Sequence, residues 1–107
     1  MPKITIENLY GKIIEAESIE KTVLKTLHEN RIDWMHACGG KGRCTSCKAI
    51  IVSGDEHLNQ ATVAELRFRN IGALKANERL TCQAVANGDI LIRAPEEYKL
   101  PHVTYSE

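Results

Sequence analysis

Three of the chain's four cysteines and three of its seven glycines fall within ten positions, Cys38 to Cys47, in the stretch ACGGKGRCTSCKA. Gly39, Gly40 and Gly42 sit at loop-like spacing and the segment carries no periodicity, so it reads as an irregular excursion. It runs directly into KAIIVSGD, an apolar run closed by Ser53, Gly54 and Asp55, the pattern of a buried strand with its exit turn. Whatever else the chain does, it must anchor a thiol-rich loop to the start of a core strand.

The fourth thiol, Cys82, is distant. Five residues separate Cys38 from Cys44, two separate Cys44 from Cys47, and thirty-four separate Cys47 from Cys82. At 107 residues the chain fits one domain with a real core, so it need not rely on disulfide staples. The start, MPKITIENLYGKIIEAES, shows neither a signal peptide nor a membrane span. The expected compartment is therefore the reducing cytoplasm. There, four cysteines point to metal ligands or redox groups, with two structural disulfides as the minor alternative. Fourteen basic and fourteen acidic residues cancel, which removes any compositional argument for nucleic acid or an anionic membrane as partner.

Thiolates select iron-sulfur clusters, zinc or copper(I). Structural zinc usually draws on two short cysteine-pair knuckles, and this chain has only one such pair. A 2Fe-2S cluster is larger, and its sulfides want hydrogen-bond donors. A backbone stripped of side chains at Gly39, Gly40 and Gly42 suits it better. Thr45 and Ser46 offer hydroxyl donors to the sulfurs, or are simply small polar residues in a tight loop. Cys44-Thr45-Ser46-Cys47 also matches a thioredoxin-like pair. Such a pair normally opens a helix, whereas a strand follows here. His36 reads as a loop histidine rather than a Rieske-type ligand, and Trp34 and Met35 as packing beneath the loop. No nucleophile, base and acid stand together, so the chain is not expected to be an enzyme.

The remaining pattern supplies a frame. Residues 3–9 alternate as a half-buried strand, Tyr10-Gly11 forms a turn, and KIIEAE offers a second strand. From Ser18, read as a cap, Ile19, Val23, Leu24 and Leu27 share one face of a helix of about ten residues. Thr62 and Glu65 form a capping-box pattern for a short helix near 62–70, in which Glu65 and Arg69 are placed to pair. Two apolar runs about Asn87-Gly88 suggest a closing hairpin, ended by Pro95, and the tail 96–107 shows no pattern. Two strands, a crossing helix, a third strand, a short helix and final strands make an α+β domain spanning 1–107, with a mixed sheet wrapped on one main helix, the β-grasp outline.

CGGKGRCTSCKAIIVSG, then RLTCQA, then DILIRAP resembles the plant- and vertebrate-type 2Fe-2S ferredoxin family over nearly the whole chain. Members with five residues in the first gap are the most similar: adrenodoxin-like and Isc-type ferredoxins, and the ferredoxin domain of sodium-pumping quinone reductases. The resemblance implies a β-grasp fold and a 2Fe-2S cluster ligated by Cys38 and Cys44 on the outer iron and by Cys47 and Cys82 on the inner one. It also implies one-electron transfer, with a ferredoxin reductase and a redox acceptor protein as partners of a monomeric carrier. A four-cysteine structural or redox-sensing metal module is the alternative.

Adrenodoxin-like members carry an acidic docking helix between the third and fourth cysteines. Here that region holds Glu65 and Glu78 against Arg67, Arg69, Lys75 and Arg79, so partner identity does not carry over. Four thiolates, two ferric ions and two sulfides sum to minus two, and Lys41, Arg43 and Lys48 are placed by sequence to offset that charge at the loop rim, where docking is also expected.

Overall fold

The computed structural model describes residues 2–16, 21–35 and 45–106. In chain order the elements are β1 (Lys3–Ile6), β2 (Lys12–Glu15), α1 (Val23–Glu29), β3 (Lys48–Ser53), α2 (Val63–Asn70), β4 (Glu78–Leu80) and β5 (Ile90–Arg93), with 3-10 turns at Asp55–His57 and Glu96–Tyr98. The strands form one five-stranded mixed sheet in the order β2-β1-β5-β3-β4. Only β1 and β5 run parallel; the other neighbours are antiparallel. This is the expected β-grasp arrangement.

Alternation in β1 and β5 builds the core. Ile4 and Ile6 stand opposite Ile90 and Ile92, and all four are buried, as is Ile14 on β2. Val23, Leu24 and Leu27 of α1 complete the same apolar cluster. Each such side chain contributes roughly 1.5–3 kcal/mol on burial. The β1–β2 connection turns through Tyr10 and Gly11 as expected, with φ of 58° and 65° and a bond from Lys12 N–H to the Leu9 carbonyl. Gly54 closes β3 in the left-handed region at φ 86°, where a Cβ would lie 2.4 Å from the Asp89 carbonyl oxygen.

Three sequence expectations change. The described part of α1 has Thr22 as its N-cap, its hydroxyl accepting from Lys25 N–H, and covers seven residues. The expected cap Ser18 and the first apolar position Ile19 lie outside the described residues. Asn87-Gly88 does not join two paired strands, because β3 lies between β4 and β5 in the sheet. Residues 86–89 instead fasten to the 3-10 turn at 55–57: Asn87 N–H donates to the His57 carbonyl, and Leu58 bridges Ala86.

The third change concerns Glu65. The capping box with Thr62 forms, but Glu65 does not pair with Arg69. It is fully buried, and its Oε2 accepts from Arg79 Nε at 2.6 Å and from Leu80 N–H at 2.9 Å. Its Oε1 accepts from Thr62 N–H and Arg79 Nη2. Arg69 donates to the carbonyls of Ala76 and Glu78 instead. The tail without sequence pattern is also fastened: Ser106 N–H donates to the Asn8 carbonyl, while the buried Asn8 side chain pairs with both backbone groups of Ala94.

Burial disfavours a charged Glu65, but Arg79 and the amides of Thr62 and Leu80 outweigh it and hold the carboxyl below its ordinary range. A depressed folded-state pKa stabilises above the ordinary carboxylate value and loses that contribution as pH falls through the lowered one. Glu65→Gln leaves Arg79 as an uncompensated buried charge and should cost about 3–5 kcal/mol in chemical denaturation. It should also make the acid limb of the stability curve shallower.

Candidate metal centre

The end of β4 meets the start of β3, and this junction assembles the described half of the site. Lys48 pairs with Leu80 in register, so Cys47 and Cys82 are brought to adjacent positions just beyond the paired residues. Both cysteines are buried and neither is in a disulfide. Gln83 Nε2 lies 3.7 Å from Cys82 Sγ.

The Cys47 carbonyl and the backbone on either side of Cys82 are held by hydrogen bonds. The Cys47 carbonyl accepts from Trp34 Nε1 at 3.0 Å, from Thr81 Oγ1 at 2.7 Å and from Thr81 N–H at 3.3 Å. Trp34 is buried and hydrogen-bonds the backbone at the end of the cysteine segment; the rest of that segment lies outside the described residues. Around Cys82, the first two amides of α1 donate outward: Val23 N–H to the Ala84 carbonyl and Leu24 N–H to the Thr81 carbonyl. Asn59 adds a bond from its Nδ2 to the Gln83 carbonyl and accepts Val85 N–H. Helix N-terminal amides normally lack partners within their own helix; here they pin the turn that presents Cys82.

A hydrogen bond with the Cys82 side chain, burial and the charge of that neighbour all push the Cys47 thiol well above its ordinary pKa. Two buried thiols side by side are thus costly to ionise alone, and a shared cation inverts that balance. The donor set fits an iron-sulfur group. Among the described residues no group of three or more His, Cys, Asp or Glu side chains is arranged to hold a metal.

A model for the 2Fe-2S iron-sulfur cluster binding domain matches residues 5–87, a span that contains all four cysteines. The chain belongs to this 2Fe-2S ferredoxin family. It is 41% identical to 2Fe-2S ferredoxin-5 of Aquifex aeolicus over 89% of this chain and 100% of that one. It is 35% identical to one subunit of the Na(+)-translocating NADH-quinone reductase of Pseudomonas aeruginosa, over 70% of this chain and 18% of that subunit. The crystal structure of an ISC-like 2Fe-2S ferredoxin from Pseudomonas putida superposes with a TM-score of 0.75 at 31% identity, covering 97% of this chain and 100% of the other. The ferredoxin thus has a 2Fe-2S cluster as its cofactor and is an electron-transfer protein rather than an enzyme.

Among the other candidate residues of this ferredoxin, Thr45 is half-buried with its hydroxyl 3.3 Å from that of Tyr98, and Ser46 is buried. Cys38, Gly39, Gly40, Lys41, Gly42, Arg43 and Cys44, with His36, lie outside the described residues. Lys48 is not a rim charge. It is buried, with Nζ 3.3 Å from Glu78 and 2.6 Å from Glu97. Burial opposes its charge, but the two carboxylates outweigh that and hold it above an ordinary lysine. Because two acidic groups already compensate it, Lys48 does not supply free positive charge to offset a cluster.

Trp34→Phe removes one of three donors from the Cys47 carbonyl and should cost about 0.5–1.5 kcal/mol. It should also quicken cluster loss, measured as decay of visible absorbance under a chelator. Thr81→Val removes the shortest donor and should act more strongly.

Proposed function

We propose that Cys38, Cys44, Cys47 and Cys82 together hold the 2Fe-2S cluster, the first two on the outer iron and the last two on the inner one. The observation that carries this is the buried Cys47–Cys82 pair, neither of them in a disulfide, within a family-matched span that also contains Cys38 and Cys44. Gly39, Gly40, Gly42 and Arg43, with Thr45 and Ser46, line the cradle, bringing backbone amides and small donors to the sulfides. When bound, the cluster accepts and releases one electron.

In this reading the whole of 1–107 is one carrier domain, with 96–107 as its tail, acting as a cytoplasmic monomer. It takes electrons from a ferredoxin reductase and delivers them to an acceptor oxidoreductase. Kinship to part of an NADH-quinone reductase supports a reductase as donor. No helix among the described residues is long and apolar enough to cross a membrane, which is compatible with a diffusing carrier.

The chemistry of the acceptor is suggested by α2. Glu65, its only acid, is buried, while Val63 and Leu66, Ile71 just beyond the helix, and Arg67 are exposed. Glu65 also ties the helix to Leu80, two residues before Cys82. This apolar and basic face suits an oxidoreductase presenting an apolar patch with an acidic rim.

Two measurements test the reading. Cys82→Ser should lose the visible absorption that bleaches on dithionite addition, or lose it within minutes of purification; a native spectrum and stability would contradict the four-ligand set. Leu66→Glu should leave that spectrum intact yet lower the rate of electron transfer to the acceptor about tenfold, equivalent to about 1.4 kcal/mol.

A further inference from the structure

Tyr98 ends the 3-10 turn Glu96–Tyr98, in a stretch where the sequence carries no pattern. Its hydroxyl lies 3.3 Å from Thr45 Oγ1, and Lys48 Nζ lies 5.7 Å from its ring centroid. The adjacent Glu97 pairs with the same Lys48. Thr45 and Lys48 are themselves joined, Lys48 N–H donating to the Thr45 carbonyl at 3.0 Å, and Cys47 lies between them. One short turn more than fifty residues downstream in sequence thus touches the chain on both sides of a buried cysteine.

We propose that Tyr98 is a positioning residue for the cluster, acting through the Thr45 hydroxyl to raise the midpoint potential. The inference rests on the ligand assignment above, which puts Thr45 between two ligands, Cys44 and Cys47. A phenol is a stronger acid than an aliphatic alcohol, so Tyr98 is the better donor of the pair. With its oxygen accepting from Tyr98, the Thr45 hydroxyl keeps its own proton to give onward. A hydroxyl that accepts while it donates is a better donor, because hydrogen bonds in a chain polarise one another. Donors near the sulfurs favour the more negative reduced form, which carries one additional electron from the reductase, and so raise the potential. Lys48 and Glu97 hold the ring and its turn in place.

The test is a set of midpoint potentials from spectroelectrochemical titration of the cluster-loaded protein. Tyr98→Phe keeps the ring over Lys48, so its melting temperature should stay near wild type while the potential falls. Thr45→Val should lower the potential at least as far, Thr45→Ser should restore it, and adding Tyr98→Phe to Thr45→Val should give no further fall. An unmoved potential in Tyr98→Phe, or an equal extra fall in the Thr45→Val background, would overturn the proposal. Loss of cluster in Tyr98→Phe with normal loading of Thr45→Val would assign Tyr98 to folding and overturn it equally. A wild-type protein without a cluster, or a Cys82→Ser variant that keeps one, defeats the ligand assignment and takes this inference with it. A loaded protein with unmoved potentials defeats the role of Tyr98 alone.

Discussion

The Cys47 peptide carbonyl is the point on which the rest of the site depends. Trp34 reaches it from the segment after α1, and Thr81 reaches it twice from the end of β4. A carbonyl has two lone-pair directions, so three donors leave it saturated and directionally fixed. The entry to the loop, the exit from the loop and the arm bearing the distant cysteine are thereby referred to a single oxygen. Cys82 is fixed from its other side by the leading amides of α1. Protein hydrogen bonds thus hold the chain on both sides of the Cys47–Cys82 pair.

Much of this was legible in the sequence. Alternation in KITI predicts a half-buried strand and the apolar run containing ILIR a final strand, and the structure buries Ile4, Ile6, Ile90 and Ile92. The capping box at Thr62 is a local device and reads correctly for that reason. Glu65–Arg69 failed because helical spacing identifies only neighbours on one helix, while Arg79 arrives from a strand and offers a two-point bond in a buried setting. Asn87-Gly88 failed similarly: its composition encodes a bend, but the sheet order that separates β4 from β5 is a long-range property. The cysteine spacing told of a shared metal group, whereas nothing local announced that Trp34 and Thr81 converge on Cys47, or that Tyr98 reaches Thr45.

Charge is handled by compensation rather than display. Lys48 and Glu78 are buried and matched, with Glu97 at the margin, and Arg79 is matched to Glu65 and Asn59. The formal balance of the whole chain therefore hides two internal networks, one beside each described cysteine. What remains exposed on α2 is Val63, Leu66, Arg67 and Asn70, a face without an acidic residue.

The parallel pairing of β1 with β5 joins residues 86 positions apart, as in Ile4 with Ile90, and the ion pair of Glu7 with Arg93 reinforces it. Closing so large a loop is paid for in chain entropy before its contacts return anything, which makes the pairing a late event. β5 is also the strand that sits between β1 and β3, so the hairpin of β1 and β2 is not joined within the sheet to β3 and β4, the strands flanked by Cys47 and Cys82, until β5 inserts. During synthesis all four thiols have been made before that strand exists. A ribosome-bound chain therefore displays all four cysteines before the strand that completes the sheet has been made.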